Sequence, residues 1–63
     1  MTREDEFQPG ARVRHQDGRE GVIDCVAGYT VLVALDRAAR GQLEPLQMGY
    51  LEVIEPAPAG RAA

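Results

Sequence analysis

The sequence offers little with which to build a disulfide or a metal centre. It contains one cysteine, Cys25, and one histidine, His15, among 63 residues. One cysteine excludes an intrachain disulfide, and a zinc site would need carboxylates or other chains to complete its ligands. We therefore expect no metal and no bound cofactor. A chain of about 60 residues buries only about 60% of the surface that its unfolded form exposes, so a partner subunit is the expected source of further stability.

Lysine is absent, and the formal net charge is −3. Because lysine and arginine supply most of the affinity of proteins for phosphates, this composition disfavours general binding to nucleic acid. Arginines are nevertheless concentrated in and beside the first predicted hairpin. With a histidine and a tyrosine they form a candidate binding surface for nucleic acid or an acidic peptide, and a solvated hairpin face is the alternative interpretation. The candidate binding residues are Arg12, Arg14, His15, Arg19 and Tyr29.

Long apolar runs are absent as well. The longest is Thr30–Leu35, far below the roughly 18 residues that a membrane-spanning helix needs. The first ten residues, MTREDEFQPG, lack the basic and apolar regions of a secretory signal. A single free thiol is typical of a reducing compartment. These features predict a cytoplasmic protein that makes no contact with a membrane.

Short alternating segments, separated by glycine and proline, predict an all-β protein. The five predicted strands are 11–15, 21–27, Thr30–Leu35, 42–44 and 51–54. Asp17 followed by glycine is a strong hairpin signal between the first two strands. Alternation places Ile23 and Cys25 on the same face of the second strand. Pro45 is expected to end the fourth strand, and residues 46–50 are expected to form a 3₁₀ turn before the last strand.

The two ends of the chain differ in composition from its middle. Residues 1–6 are mostly charged, and residues 56–63 are rich in proline and alanine without apolar periodicity, so we expect both segments to be disordered. Residues 7–55 are predicted to form one domain. Closing five short strands into a barrel removes exposed sheet edges, and we therefore expect a small closed barrel.

Several short segments carry a resemblance to a known fold. They are RVR at 12–14, DG at 17–18, GVI at 21–23, VLV at 31–33 and LEVI at 51–54. Their order resembles that of SH3-like small barrels, including KOW, Tudor-like and other bacterial modules. The resemblance implies a five-stranded SH3-like barrel over 7–55, with a 3₁₀ turn before the last strand. It does not specify a function, because such barrels have many unrelated roles.

Two segments also resemble the plasmid-borne type II dihydrofolate reductases. They are FQPGARVR at 7–14 and LEVI at 51–54, and the family's pore-lining segment Val-Gln-Ile-Tyr-Pro corresponds to GQLEP at 41–45. The resemblance implies a homotetramer with a central pore lined by Gln42, Leu43 and Glu44, acting on NADPH and dihydrofolate. Glu44 stands in place of the pore tyrosine, and His15 stands in place of a lysine that attracts anionic ligands.

Our leading hypothesis is a non-enzymatic binding or assembly module that self-associates. The strand Thr30–Leu35 is apolar on both faces, so we expect both faces to be covered, one of them by a partner subunit. The segment 42–50 is the other candidate surface, and core filling is the alternative for its apolar members. The candidate pore or interface residues are Gln42, Leu43, Glu44, Met48 and Tyr50. The alternatives are an NADPH-dependent reductase of the type II kind and a KOW-like nucleic-acid contact, the latter being less favoured.

Overall fold

The computed structural model describes residues 4–58 and confirms the all-β prediction. The strands are β1 (Arg12–His15), β2 (Glu20–Ala27), β3 (Thr30–Leu35), β4 (Glu44–Gln47) and β5 (Leu51–Glu55). A 3₁₀ turn at Met48–Tyr50 precedes β5, as predicted. Residues 1–3 and 59–63 of the two segments predicted to be disordered lie outside the described residues. Of the remainder, Glu4–Glu6 forms a 3₁₀ turn, and Ala57 packs against the core.

The five strands form one antiparallel sheet in the order β4-β3-β2-β1-β5. The first four strands follow one another as a meander, and β5 returns to pair with β1. Within residues 4–58 the ladder gives no pairing between β4 and β5. The structure is thus a small five-stranded sheet compatible with a barrel-like fold.

The predicted hairpin between β1 and β2 is present. The His15 N–H donates to Arg19 O at 2.7 Å, and the Gly18 N–H donates to His15 O at 2.8 Å. Gly18 has a φ of +100°, a conformation that favours glycine. Asp17 accepts the backbone N–H of Arg19 at 3.0 Å through its Oδ1 atom. The Asp-Gly pair therefore fixes both the direction and the register of the first two strands.

The core lies on one face of the sheet. Among residues 4–58 it consists of nine buried apolar residues: Phe7, Ala11, Val13, Ile23, Val31, Val33, Leu46, Met48 and Leu51. Gly21 lies where β3 comes close to β2. A Cβ atom at Gly21 would lie 2.5 Å from Ala34 O and 2.7 Å from Leu35 Cα. A side chain at this position would therefore force the two strands apart.

The predicted faces of the second strand are wrong beyond Ile23. The register shifts between Ile23 and Cys25, so that Ile23 pairs with Val33 but Cys25 pairs with Leu32. Asp24 is the extra residue of this β-bulge, and a bulge reverses the alternation that follows it. Cys25 consequently shares a face with Leu32 on the side of the sheet away from the core.

The predicted bounds of the fourth strand are wrong as well. We expected a strand over 42–44 that Pro45 ends, whereas β4 includes Pro45 and pairs it with Leu32. Proline lacks an N–H, but an edge strand such as β4 tolerates this loss. This register buries Leu46 beside Val31 and confines the 3₁₀ turn to Met48–Tyr50.

Candidate interaction surface

The face of the sheet opposite the core carries two rows of neighbouring side chains. Residues paired across antiparallel strands lie side by side on the same face. One row is Cys25, Leu32 and Pro45, and the next is Arg12, Val22 and Ala34. We call the five uncharged members the outer apolar face: Val22, Cys25, Leu32, Ala34 and Pro45.

The outer apolar face is open to solvent in the single chain. Val22 is 37% exposed, Ala34 and Pro45 are exposed, and Cys25 and Leu32 are half-buried. An antiparallel sheet with one face on the core normally presents polar side chains on the other face. Asp24 is exposed on the same side of the sheet, at the bulge between Val22 and Cys25, so this surface carries one carboxylate among its apolar groups. Apolar surface bordered by charges is typical of a protein-binding site. Both faces of β3 were expected to be covered, but within residues 4–58 only the face on the core is.

Ion pairs border this face on the side of the β1–β2 turn. The Arg12 Nη1 atom donates to Asp36 Oδ1 at 3.2 Å, and its Nη2 atom contacts both Asp36 Oδ2 and Glu20 Oε1. The pKa of Arg12 is raised, chiefly by its hydrogen bonds with Asp36. Arg14 lies 3.6 Å from Glu20 and 3.7 Å from Glu52. Both guanidinium groups are thus occupied by carboxylates of their own chain.

Arg19 is also paired. Its Nε atom donates to Asp17 Oδ2 at 2.8 Å, and its Nη1 atom donates to Glu44 Oε2 at 3.2 Å. The pKa of Arg19 is raised, chiefly by its hydrogen bond with Asp17. The pKa of Asp17 is lowered, chiefly because the carboxylate accepts the backbone N–H of Arg19.

An open cleft of about 860 Å³ lies between the β1–β2 turn and the loop that joins β3 to β4. Gln42, Leu43 and Glu44 line it together with Arg19, so the structure brings these predicted residues into one place. Arg37 lies on the same cleft, and within residues 4–58 it takes part in no ion pair. The cleft therefore mixes apolar, acidic and basic groups.

His15 and Tyr50 lie together at a smaller cleft of about 350 Å³ beside the β1–β2 turn. Their ring centroids are 6.0 Å apart, and the rings are tilted by 51°. The His15 Nδ1 atom accepts the backbone N–H of Asp17 at 3.2 Å and lies 3.1 Å from its Oδ1 atom. His15 thus contacts both the β1–β2 turn and the ring of Tyr50.

The remaining predicted site residues lie elsewhere. Tyr29 is 70% exposed at the β2–β3 turn, at the opposite end of β2 from Arg19. Met48 is buried in the core, and its backbone N–H donates to Tyr29 O at 2.8 Å. Within the single chain, Tyr29 is therefore separated from the arginines with which sequence reasoning grouped it.

Sequence reasoning identified part of the surface and missed part. The apolar positions of β3 indicated a second covered face, but Val22, Cys25 and Pro45 were not grouped with Leu32. The missing signal was the bulge at Asp24, which brings Cys25 to this face. Asp36 was also missed as the partner of Arg12, because the two lie 24 positions apart in the chain.

Two further observations bound the chemistry of the described chain. No helix in residues 4–58 is both long and apolar enough to cross a membrane. The same residues contain no group of three or more histidine, cysteine, aspartate or glutamate side chains placed to hold a metal ion.

Comparison with models of known protein families finds no match to this chain. No curated protein and no solved structure matches it either.

Proposed function

We propose that this chain is a small, non-enzymatic SH3-like module of the cytoplasm that binds protein and self-associates. The strand order, with β5 returning to β1 after a 3₁₀ turn, is compatible with the SH3-like barrel that the sequence resembles. The small core and the absence of a disulfide leave association as a source of stability. The binding surface in this proposal is the outer apolar face.

One observation carries the proposal: apolar side chains lie on the side of the sheet that faces water in the single chain. Leu32 lies at the centre of this face, between Cys25 and Pro45. Covering apolar surface is worth about 25 cal/mol for each Å² removed from water. Covering Leu32 and its neighbours with another protein therefore stabilises the complex without any change in the core.

A KOW-like nucleic-acid contact has less support. Arg12, Arg14 and Arg19 each lie within ion-pairing distance of two carboxylates of the same chain. A phosphate would have to displace those carboxylates before it could bind. With no lysine in the chain, few other cations can compensate.

A type II reductase also has less support. Gln42, Leu43 and Glu44 share the larger cleft, but Glu44 is bound to Arg19 and Asp36 lies on the same cleft. NADPH and folates are anionic, and repeating these carboxylates around a symmetric pore would repel them. Assaying NADPH-dependent reduction of dihydrofolate tests this alternative, and turnover by the purified chain would revive it.

The proposal is tested by changing the outer apolar face and measuring solution mass. We expect Leu32→Gln and Val22→Gln to lower the mass of the wild-type oligomer towards that of the monomer. Ile54→Gln is the matched control, because Ile54 has the same 37% exposure as Val22 and lies in β5, which contributes no residue to the outer apolar face. Circular dichroism establishes that each variant is folded. Equal masses for folded wild type, Leu32→Gln and Val22→Gln would contradict the proposed surface.

A further inference from the structure

The β1–β2 turn contains an aspartate that is followed directly by a glycine, Asp17 and Gly18. In such a pair, the main-chain nitrogen of the second residue can attack the side-chain carboxyl carbon of the first and close a five-membered succinimide ring. Glycine has no Cβ atom to hinder this attack, and it permits a wide range of backbone angles. The pair that favours the hairpin therefore also places a nucleophilic nitrogen next to an electrophilic carbon.

We infer that Asp17 is a site of covalent self-modification, its rearrangement to isoaspartate, and that Arg19 protects it in the folded chain. The inference is independent of the proposed function, because it concerns the β1–β2 turn and not the outer apolar face. The reaction uses atoms of the chain itself, and its only co-reactant is water.

The rearrangement consists of two balanced steps. In the first step, the Gly18 nitrogen loses its proton and bonds to Cγ of Asp17, while one carboxyl oxygen leaves as water. In the second step, water adds to one of the two ring carbonyl carbons and breaks its bond to the nitrogen. Breaking the bond to the main-chain carbonyl carbon gives isoaspartate, and breaking the bond to Cγ restores aspartate. No electrons are transferred, and the composition of the chain is the same before and after.

Arg19 holds both oxygens of the Asp17 carboxylate. The Oδ1 atom accepts the backbone N–H of Arg19 at 3.0 Å, and the Oδ2 atom accepts its Nε–H at 2.8 Å. Ring closure releases one of these oxygens as water, so at least one of the two bonds must break first. A carboxyl group loses water more readily when it is protonated, and hydrogen bonds to the charged form oppose protonation. The contacts with Arg19 therefore keep the carbon in its less reactive state.

The attacking nitrogen is restrained as well. The Gly18 N–H donates to His15 O at 2.8 Å and thereby closes the turn. The nitrogen must give up this proton before it attacks, and solvent reaches a hydrogen-bonded N–H when the local structure opens. The folded turn thus restrains both reacting atoms.

Burial does not protect the turn. The Asp17 side chain is 45% exposed. A Cβ atom placed on Gly18 would meet nothing within 4 Å among residues 4–58. Water and base therefore have access to the reacting atoms, and the hydrogen bonds are what holds the reaction back.

Isoaspartate at position 17 is expected to damage the hairpin. It adds one carbon to the main chain in the middle of the turn, and it moves the free carboxylate to the α-carbon. The turn is closed by the His15 N–H, which donates to Arg19 O at 2.7 Å, and this bond depends on the length of the segment between them. We therefore expect the rearranged chain to have a lower denaturation midpoint than the original one.

The test follows isoaspartate in the full chain during incubation at neutral pH, in buffer and in guanidinium chloride that unfolds it. Cleavage after Glu6 and Glu20 releases residues 7–20. Liquid chromatography then separates the aspartate and isoaspartate forms of this peptide, which have equal mass. We expect the unfolded wild-type chain to rearrange several times faster than the folded one.

Arg19→Gln removes the side-chain bond to Asp17. While folded, as circular dichroism establishes, this variant should rearrange about three times faster than wild type, because an exposed ion pair has only modest strength. Arg40→Gln is the matched control, since Arg40 is an exposed arginine that forms no ion pair within residues 4–58. Glu44→Gln is the second control, because it removes the other partner of Arg19 and keeps the bond to Asp17. Both controls should match wild type, and all four chains should react equally fast in guanidinium chloride.

The outcomes decide each part of the inference. Faster rearrangement of folded Arg19→Gln alone, with the difference lost in guanidinium chloride, supports it. Absence of isoaspartate from the unfolded chain overturns the modification site. Equal rates for folded and unfolded wild type overturn protection by the fold, and a folded Arg19→Gln no faster than Arg40→Gln overturns the role of Arg19. Self-association is judged separately by solution mass, so failure of either proposal leaves the other in place.

Discussion

Arg19 joins the β1–β2 turn to the first residue of β4, because its Nη1 atom donates to Glu44 Oε2 at 3.2 Å across 25 positions of the chain. The strands at these two points are not neighbours in the ladder. The bond therefore connects the hairpin to an edge of the sheet and spans the larger cleft. It also holds Glu44, the residue that stands in place of the reductase pore tyrosine.

We expect Glu44→Gln to lower the urea midpoint slightly, because it removes a charged partner of Arg19. Both side chains are nearly half exposed, so salt should screen their attraction. The difference between wild type and Glu44→Gln should therefore shrink at high salt. Glu55→Gln is the control, since Glu55 is an exposed strand glutamate that forms no ion pair within residues 4–58. An equal or larger effect of Glu55→Gln would contradict a specific role for Glu44.

We expect Gly21→Ala to be the most damaging single glycine change, at about 3 kcal/mol of unfolding free energy. The added Cβ atom would meet backbone atoms of β3 at 2.5 and 2.7 Å, and backbone cannot move aside as a side chain can. Gly49→Ala is the matched control, because a Cβ there meets nothing within 4 Å. It should stay within about 0.5 kcal/mol of wild type. Similar denaturation midpoints for the two variants would show that β3 lies farther from β2.

The stability of the hairpin should depend on pH through the charge of the Asp17 carboxylate. Its pKa is lowered from the ordinary value of 3.8 by the hydrogen bond from the Arg19 backbone. A lowered pKa in the folded state gives stability that is complete above the unfolded-state pKa and is lost as the pH falls through the folded-state pKa. Wild type should therefore exceed Asp17→Asn in thermal midpoint at about pH 6, and the gap should narrow as the pH falls below 3.8.

The control for this measurement is Asp24→Asn, which changes an exposed aspartate at the bulge of β2. This variant removes a carboxylate that takes part in no ion pair within residues 4–58, so it shows how much of the acid response belongs to the contacts of Asp17. A gap for Asp17→Asn that is constant from neutral to acid pH would contradict the role of the charged carboxylate in the turn.

Binding to nucleic acid should be weak. Because the guanidinium groups of Arg12, Arg14 and Arg19 are already paired, we expect no saturable change in the fluorescence anisotropy of labelled RNA or DNA at micromolar protein and physiological salt. Binding that rises steeply as the salt is lowered, and that Arg12→Gln and Arg14→Gln weaken, would favour the nucleic-acid alternative instead.

The sequence predicted local features better than long-range ones. The bounds of β3 and the hairpin at Asp17 follow from short-range apolar pattern and turn chemistry, and both agree with the structure. The predicted extent of β4 does not agree with the structure. A proline is expected to end a central strand but is tolerated in an edge strand such as β4, and which strand lies at the edge depends on the whole sheet.

The candidate surface was predicted in part for the same reason. Leu32 and Ala34 indicated that the second face of β3 is apolar, since side chains alternate along a strand. The bulge at Asp24 brings Cys25 beside Leu32, and alternation alone does not reveal where an extra residue lies. The pairing of Arg12 with Asp36 depends on how β3 follows β2 across the sheet, so sequence separation concealed it.

The most direct test of the account is the solution mass of the unmodified chain, measured by light scattering coupled to size exclusion over a concentration series. We predict a mass that rises from that of the 6.9 kDa monomer towards twice that value across the micromolar range. A mass that stays at the monomer value throughout would contradict self-association through the outer apolar face.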